Sequence, residues 1–130
     1  MKTVVRATLT AGWIFSLALV VYLSLQPGIE LPGAFWNADK LYHMLAYGWL
    51  GGLAVWSFAP GRGRIVAFCL IPFGGILEWL QSFVPGREAS MGDAVANALG
   101  VFVGIWLAEA VSRRLFRPQE PVEPVAGDPR

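Results

Sequence analysis

Residues 7–25 carry no charged side chain, and that run alone excludes most ways of folding this chain in water. A helix rises 1.5 Å per residue, so about 20 apolar residues match the ~30 Å hydrocarbon core of a bilayer. Three more apolar runs follow, over residues 41–59, 65–84 and 94–111. Charged residues make up only 15% of the chain, against about 25% in a soluble domain, and the mean hydropathy is positive. The expectation is an all-α membrane protein, a bundle of four transmembrane helices over residues 1–112. Residues 113–130 start basic, turn proline-rich and acidic, and read as a disordered tail. The first run is long for a signal-peptide core, and Ser24-Leu25-Gln26-Pro27 lacks the small residues of a cleavage site. It is therefore expected to remain as a helix.

Turn chemistry separates the runs. Pro27, Gly28, Pro32 and Gly33 mark a loop, and Asn37 or Asp39 can cap the helix after it. Residues 60–64 form a tight basic turn, and Pro85-Gly86 ends the third run. Pro72 inside that run removes one backbone hydrogen bond and favours a kink. Gly48 and Gly52, like Gly100 and Gly104, are four apart and share a helix face. Such faces allow close helix approach, either within one chain or between copies in a homo-oligomer. With the N-terminus cytoplasmic, the inner segments hold Lys2, Arg6, Arg62, Arg64, Arg113, Arg114 and Arg117, while the outer loops hold Lys40 and Arg87. Lys and Arg favour the inner side, so both termini are expected in the cytoplasm.

That orientation sends two polar stretches outward. Asp39, His43 and Tyr47 are four apart and share one face of the second helix, with Lys40 at its lip. Asp39 can orient the His43 ring, or His43 is an interfacial residue without a task. Glu78 and Gln81 lie three apart near the outer end of the third helix. A carboxylate there must face inward, either in a working site or as a polar clamp. From the helix end expected near Pro85, Glu78 sits about 10 Å deep. Arg87 suits an anion through its planar fork, or is a solvated surface arginine. Asp93 or Ser90 begins the fourth helix, and Asn97 follows on the face of Gly100 and Gly104. The catalytic candidates are His43, Glu78 and Asp93; the ligand-binding candidates are Asp39, Lys40, Tyr47, Gln81, Arg87, Ser90 and Asn97.

Other chemistries lack support. No basic stripe exists for nucleic acid. No metal-ligand spacing and no cofactor motif are visible, because one histidine with scattered carboxylates makes no zinc pattern. The lone Cys69 is expected as a small buried apolar residue. The tryptophans read as interfacial belts and packing.

Residues 39–51 (DKLYHMLAYGWLG) and the series E-x-x-Q, P-G-R-x-x-S and D-x-x-x-N-x-x-G over residues 78–100 resemble the VanZ-like family of small bacterial membrane proteins. Residue type and spacing match together over about half of the chain. The resemblance implies a multi-pass protein of the bacterial plasma membrane. The family is named for a protein linked to low-level teicoplanin resistance. Three roles follow as expectations: processing of a phosphate-bearing envelope lipid, binding of such a lipid or a glycopeptide-type ligand, or purely structural knitting of the bundle.

Overall fold

The computed structural model describes residues 2–27, 38–87 and 89–115. Residues 116–130 of the expected tail, the Asn37 cap, Trp36 and Arg117 lie outside the described residues, while residues 113–115, expected in the tail, are the end of the fourth helix. Four helices make up the fold: α1 (Lys2–Ser24), α2 (Ala38–Ser57), α3 (Arg62–Gln81) and α4 (Met91–Leu115). There is no strand among the described residues.

α2 is the central helix and packs against the other three, most extensively against α4. The two run parallel in close register, Gly48 against Gly100 and Gly52 against Gly104. A Cβ built on Gly52 would stand 3.1 Å from the Gly104 carbonyl, and one on Gly104 would collide with the Gly48 carbonyl. Backbones approach this closely only where side chains are absent, so the small-residue seam is intramolecular. At the far end of the seam, Trp56 Nε1 donates to Ala108 O (3.3 Å) and Ser112 Oγ (3.0 Å). α3 joins through Gly63, whose Cβ would meet Ala54 O at 2.6 Å. Tyr47, Leu50, Ala54, Ala67, Leu70, Val101 and Ile105 form the core.

α1 is peripheral. It is tied to α2 by Trp13 Nε1 donating to Leu50 O (3.0 Å), Thr10 Oγ1 to Ser57 O (3.1 Å) and Trp49 Nε1 to Ser16 Oγ (3.1 Å). Trp13, Trp49 and Trp56 thus fasten helices together, and the packing role expected for tryptophans takes the form of these interhelical hydrogen bonds.

Polarity is inverted relative to a water-soluble bundle. Glu78, Gln81, Asp93 and Asn97 are buried, while Phe15, Trp49, Trp79, Phe102 and Trp106 face outward. Hydrocarbon outside and hydrogen bonds inside is the arrangement a bilayer favours. Three helices are long and apolar enough to cross a membrane: Thr3–Ser24, Arg62–Gln81 and Met91–Leu115. α2 is not among them, because Asp39, Lys40, Tyr42, His43 and Tyr47 crowd its first half.

Two expectations need correction. α3 ends at Gln81, not near Val84: Ser82, Phe83 and Val84 donate to carbonyls three residues back, tightening the chain into the Pro85-Gly86 turn, where Gly86 has φ +79°. Glu78 is therefore about one turn, or ~5 Å, from its helix end. Cys69 is exposed on the outer face of α3, where a small apolar side chain costs nothing if the surroundings are lipid.

Candidate functional site

The end of the bundle where α1 and α3 finish and α2 and α4 begin holds the candidate site residues. His43 from α2, Glu78 from α3, and Asp93 and Asn97 from α4 come together there. His43 Nδ1 donates to Asn97 Oδ1 at 3.1 Å, and Glu78 Oε1 lies 3.4 Å from the same nitrogen. One ligand atom each from His43, Glu78 and Asp93 lie within 4.8 Å of one another. Glu78 is 6% exposed, Asp93 7% and Asn97 1%. The parallel α2–α4 pairing makes this possible, since it sets His43 level with the first turns of α4.

Gly74 leaves room for the arrangement. Its Cβ would meet Tyr47 Cε1 at 3.0 Å and Asn97 Nδ2 at 3.1 Å. Spacing along the chain gives Gly74 no role in the site; its one signal is the Gly74-Gly75 pair inside a bulky apolar helix, which often marks close approach of another element. Tyr47 is fully buried next to Glu78, and its hydroxyl has no hydrogen-bond partner among the described residues.

Lys40 and Asp39 stand at the mouth, ahead of the apolar run that begins at Leu41. Lys40 Nζ is 3.1 Å from Asp39 Oδ2 and 3.5 Å from Asp93 Oδ1. The second contact is electrostatic only, because Asp93 Oδ1 accepts no hydrogen bond. Burial pushes the Asp39 carboxyl up, but the Lys40 ammonium together with the backbone N–H groups of Lys40 and Asp39 outweighs it and holds the group below the usual carboxylate value. The Lys40 stem lies over Gly92, whose Cβ would stand 2.7 Å from Lys40 Cε. Ser90 precedes α4, and its carbonyl accepts from the amides of Asp93 (3.0 Å) and Ala94 (3.2 Å).

Gln81 and Arg87 turn toward α1. The last carbonyls of a helix have no partner within it. Gln81 Nε2 donates to Ser24 O (2.9 Å), Arg87 Nε to Gln26 O (2.9 Å) and Arg87 Nη2 to Leu23 O (3.2 Å). Both side chains therefore anchor the peripheral helix at this end, a role that spacing along the chain does not reveal.

A pocket of about 370 Å³ opens between α1, α2 and the loop carrying Arg87. Ser24, Asp39 and Arg87 form its polar rim, with Tyr42 and His43 below. Val20, Leu23 and Ala46 supply apolar wall. His43 lines this pocket and also touches Glu78 and Asn97.

No family model and no solved structure matches the chain. An uncharacterized protein of the fission yeast Schizosaccharomyces pombe is 29% identical over 107 residues, covering 79% of this chain. The match takes in 64% of that protein, so the chain spans less than two thirds of its length.

Proposed function

We propose that this is a multi-pass membrane protein that binds an amphiphile with a phosphate-bearing head group in the pocket beside His43. The observation that carries the reading is the pocket's two-sided lining: Arg87, Ser24 and Asp39 at the rim, Val20, Leu23 and Ala46 along the wall. With Nε on Gln26 O and Nη2 on Leu23 O, the Arg87 guanidinium still has its Nη1 N–H groups to offer a phosphate, and apolar wall fits a hydrocarbon chain. The VanZ-like resemblance supports the same end of the molecule, since its motifs supply His43, Glu78, Arg87, Asp93 and Asn97.

In this reading α2 is a fourth span, held in the bilayer by the glycine seam with α4 and by its buried polar stripe. Both termini face the cytoplasm and the pocket faces out, because Arg6, Arg62, Arg64, Arg113 and Arg114 cluster at the opposite end. The membrane is the bacterial plasma membrane if the resemblance holds. A glycopeptide-type ligand is the variant of this reading that antibiotic resistance suggests.

The test uses purified protein in nanodiscs, titrated with undecaprenyl phosphate and with the uncharged undecaprenol. The phosphate is expected to bind at least tenfold more tightly, and Arg87→Gln to remove most of that difference. Equal affinity for the two lipids rejects the phosphate reading. Recovered lipid of unchanged mass marks binding alone; a mass change abolished by Glu78→Gln marks catalysis, with His43 and Asp93 the other candidates. The structural alternative draws on the anchoring of α1 by Gln81 and Arg87, and it predicts no saturable binding of either lipid.

A further inference from the structure

His43, Glu78, Asp93 and Asn97 present more acceptors than donors to one small space. The single proton on His43 Nδ1 faces two oxygens, Asn97 Oδ1 at 3.1 Å and Glu78 Oε1 at 3.4 Å. Glu78 Oε2 and Asp93 Oδ1 are buried with no hydrogen-bond partner, on residues 6% and 7% exposed. The nearest ammonium, Lys40, is shared with Asp39 and stands 3.5 Å from Asp93 Oδ1. A buried carboxylate oxygen without a partner is costly, and what such a cluster lacks is a cation at its centre.

We propose that His43, Glu78 and Asp93 bind one divalent transition-metal ion, with Asn97 Oδ1 at hand as a fourth donor. The spacing supports this. Zinc–nitrogen and zinc–oxygen bonds of about 2.0–2.1 Å set neighbouring tetrahedral ligands about 3.3–3.4 Å apart. His43 Nδ1 and Glu78 Oε1 are 3.4 Å apart. The three donor atoms lie within 4.8 Å of one another, wider than tetrahedral neighbours at about 3.3–3.4 Å, so side-chain rotation has to draw the set inward around an ion. One imidazole with two carboxylates suits Zn²⁺, Mn²⁺ or Fe²⁺. Ligation through Nδ1 needs the neutral tautomer with its proton on Nε2, so the ring proton shifts from Nδ1 to Nε2 as the ion enters. The long Lys40 side chain can swing to the surface. The inference does not rest on the head-group reading, because occupancy can be measured without any lipid.

The experiment takes full-length protein in detergent, strips it with chelator, and titrates it with Zn²⁺ and Mn²⁺ by calorimetry. About one ion per chain is expected. His43→Ala, Glu78→Gln and Asp93→Asn should each weaken binding at least tenfold, and Glu109→Gln, at the opposite end of the bundle, should not. Should these variants fail to fold, Mn²⁺-loaded wild-type protein still decides: electron spin-echo modulation should show one imidazole nitrogen, which can come only from His43. Folded protein that binds neither ion at millimolar concentration, binds with no imidazole nitrogen, or binds unchanged in the Glu78→Gln and Asp93→Asn proteins overturns the proposal. Lipid binding without metal binding sinks this inference and leaves the head-group reading standing; the reverse result does the opposite.

Discussion

At the scale of the residue, the decisive event is the meeting of His43 with Asn97 and Glu78. Each is hydrophilic, and in an apolar surround each can be stable only with a partner. Interhelical hydrogen bonds inside membrane bundles average about 0.6 kcal/mol and reach about 1.7. Asn97→Leu removes an acceptor from His43 and leaves Tyr47, Glu78 and Gly74 to repack around a branched side chain. We expect a loss of about 1–2 kcal/mol, read by equilibrium unfolding in detergent. Asn97→Asp should be no better, because it adds a third carboxylate beside Glu78 and Asp93. The residue types were legible along the chain as costly groups awaiting a partner. Their partners were not: residues 43, 78 and 97 belong to three helices, and spacing within one helix carries no information about register between helices.

At the scale of the element, two contacts fix how helices sit. The first is the glycine seam between α2 and α4. Gly104→Ala places a methyl group against the Gly48 carbonyl, and the backbones must part. Overpacking of this kind costs about 1–3 kcal/mol, and a thermal shift assay should show it. Gly75→Ala is the control, since nothing lies within 4 Å of its Cβ. Helix propensity alone should make that change neutral or stabilising by up to about 1 kcal/mol. The second contact is the anchoring of α1. Arg87→Ala frees the carbonyls of Leu23 and Gln26. Hydrogen exchange should then quicken in the last turn of α1 while the core of α4 keeps its protection. Equal protection in both proteins would mean that Gln81, Trp13, Thr10 and Trp49 hold α1 without Arg87. The four-residue glycine spacing made a close-packed face legible in advance, but its partner face, and the choice between neighbour and second copy, came only with the folded chain.

At the scale of the whole molecule, polar groups such as Glu78, Asp93 and Asn97 are inside and large apolar ones outside, and every described arginine except Arg87 is gathered at one end. Lys40 and Arg62 flank α2 at its two ends. In a Cys69→Ser background, Lys40→Cys and Arg62→Cys should label from opposite sides of sealed vesicles. Labelling from the same side would show that α2 does not span. The linear order of residues was enough to determine four helices and an apolar exterior, because those follow from local periodicity, proline and glycine punctuation, and the cost of an unsatisfied backbone in hydrocarbon. Only tertiary structure decided that α2 lies at the centre, that Gln81 and Arg87 hold α1, and that a histidine and two carboxylates share one space. Those outcomes depend on the angle and register at which whole helices pack, and that is set by the sum of many contacts between residues far apart in the chain.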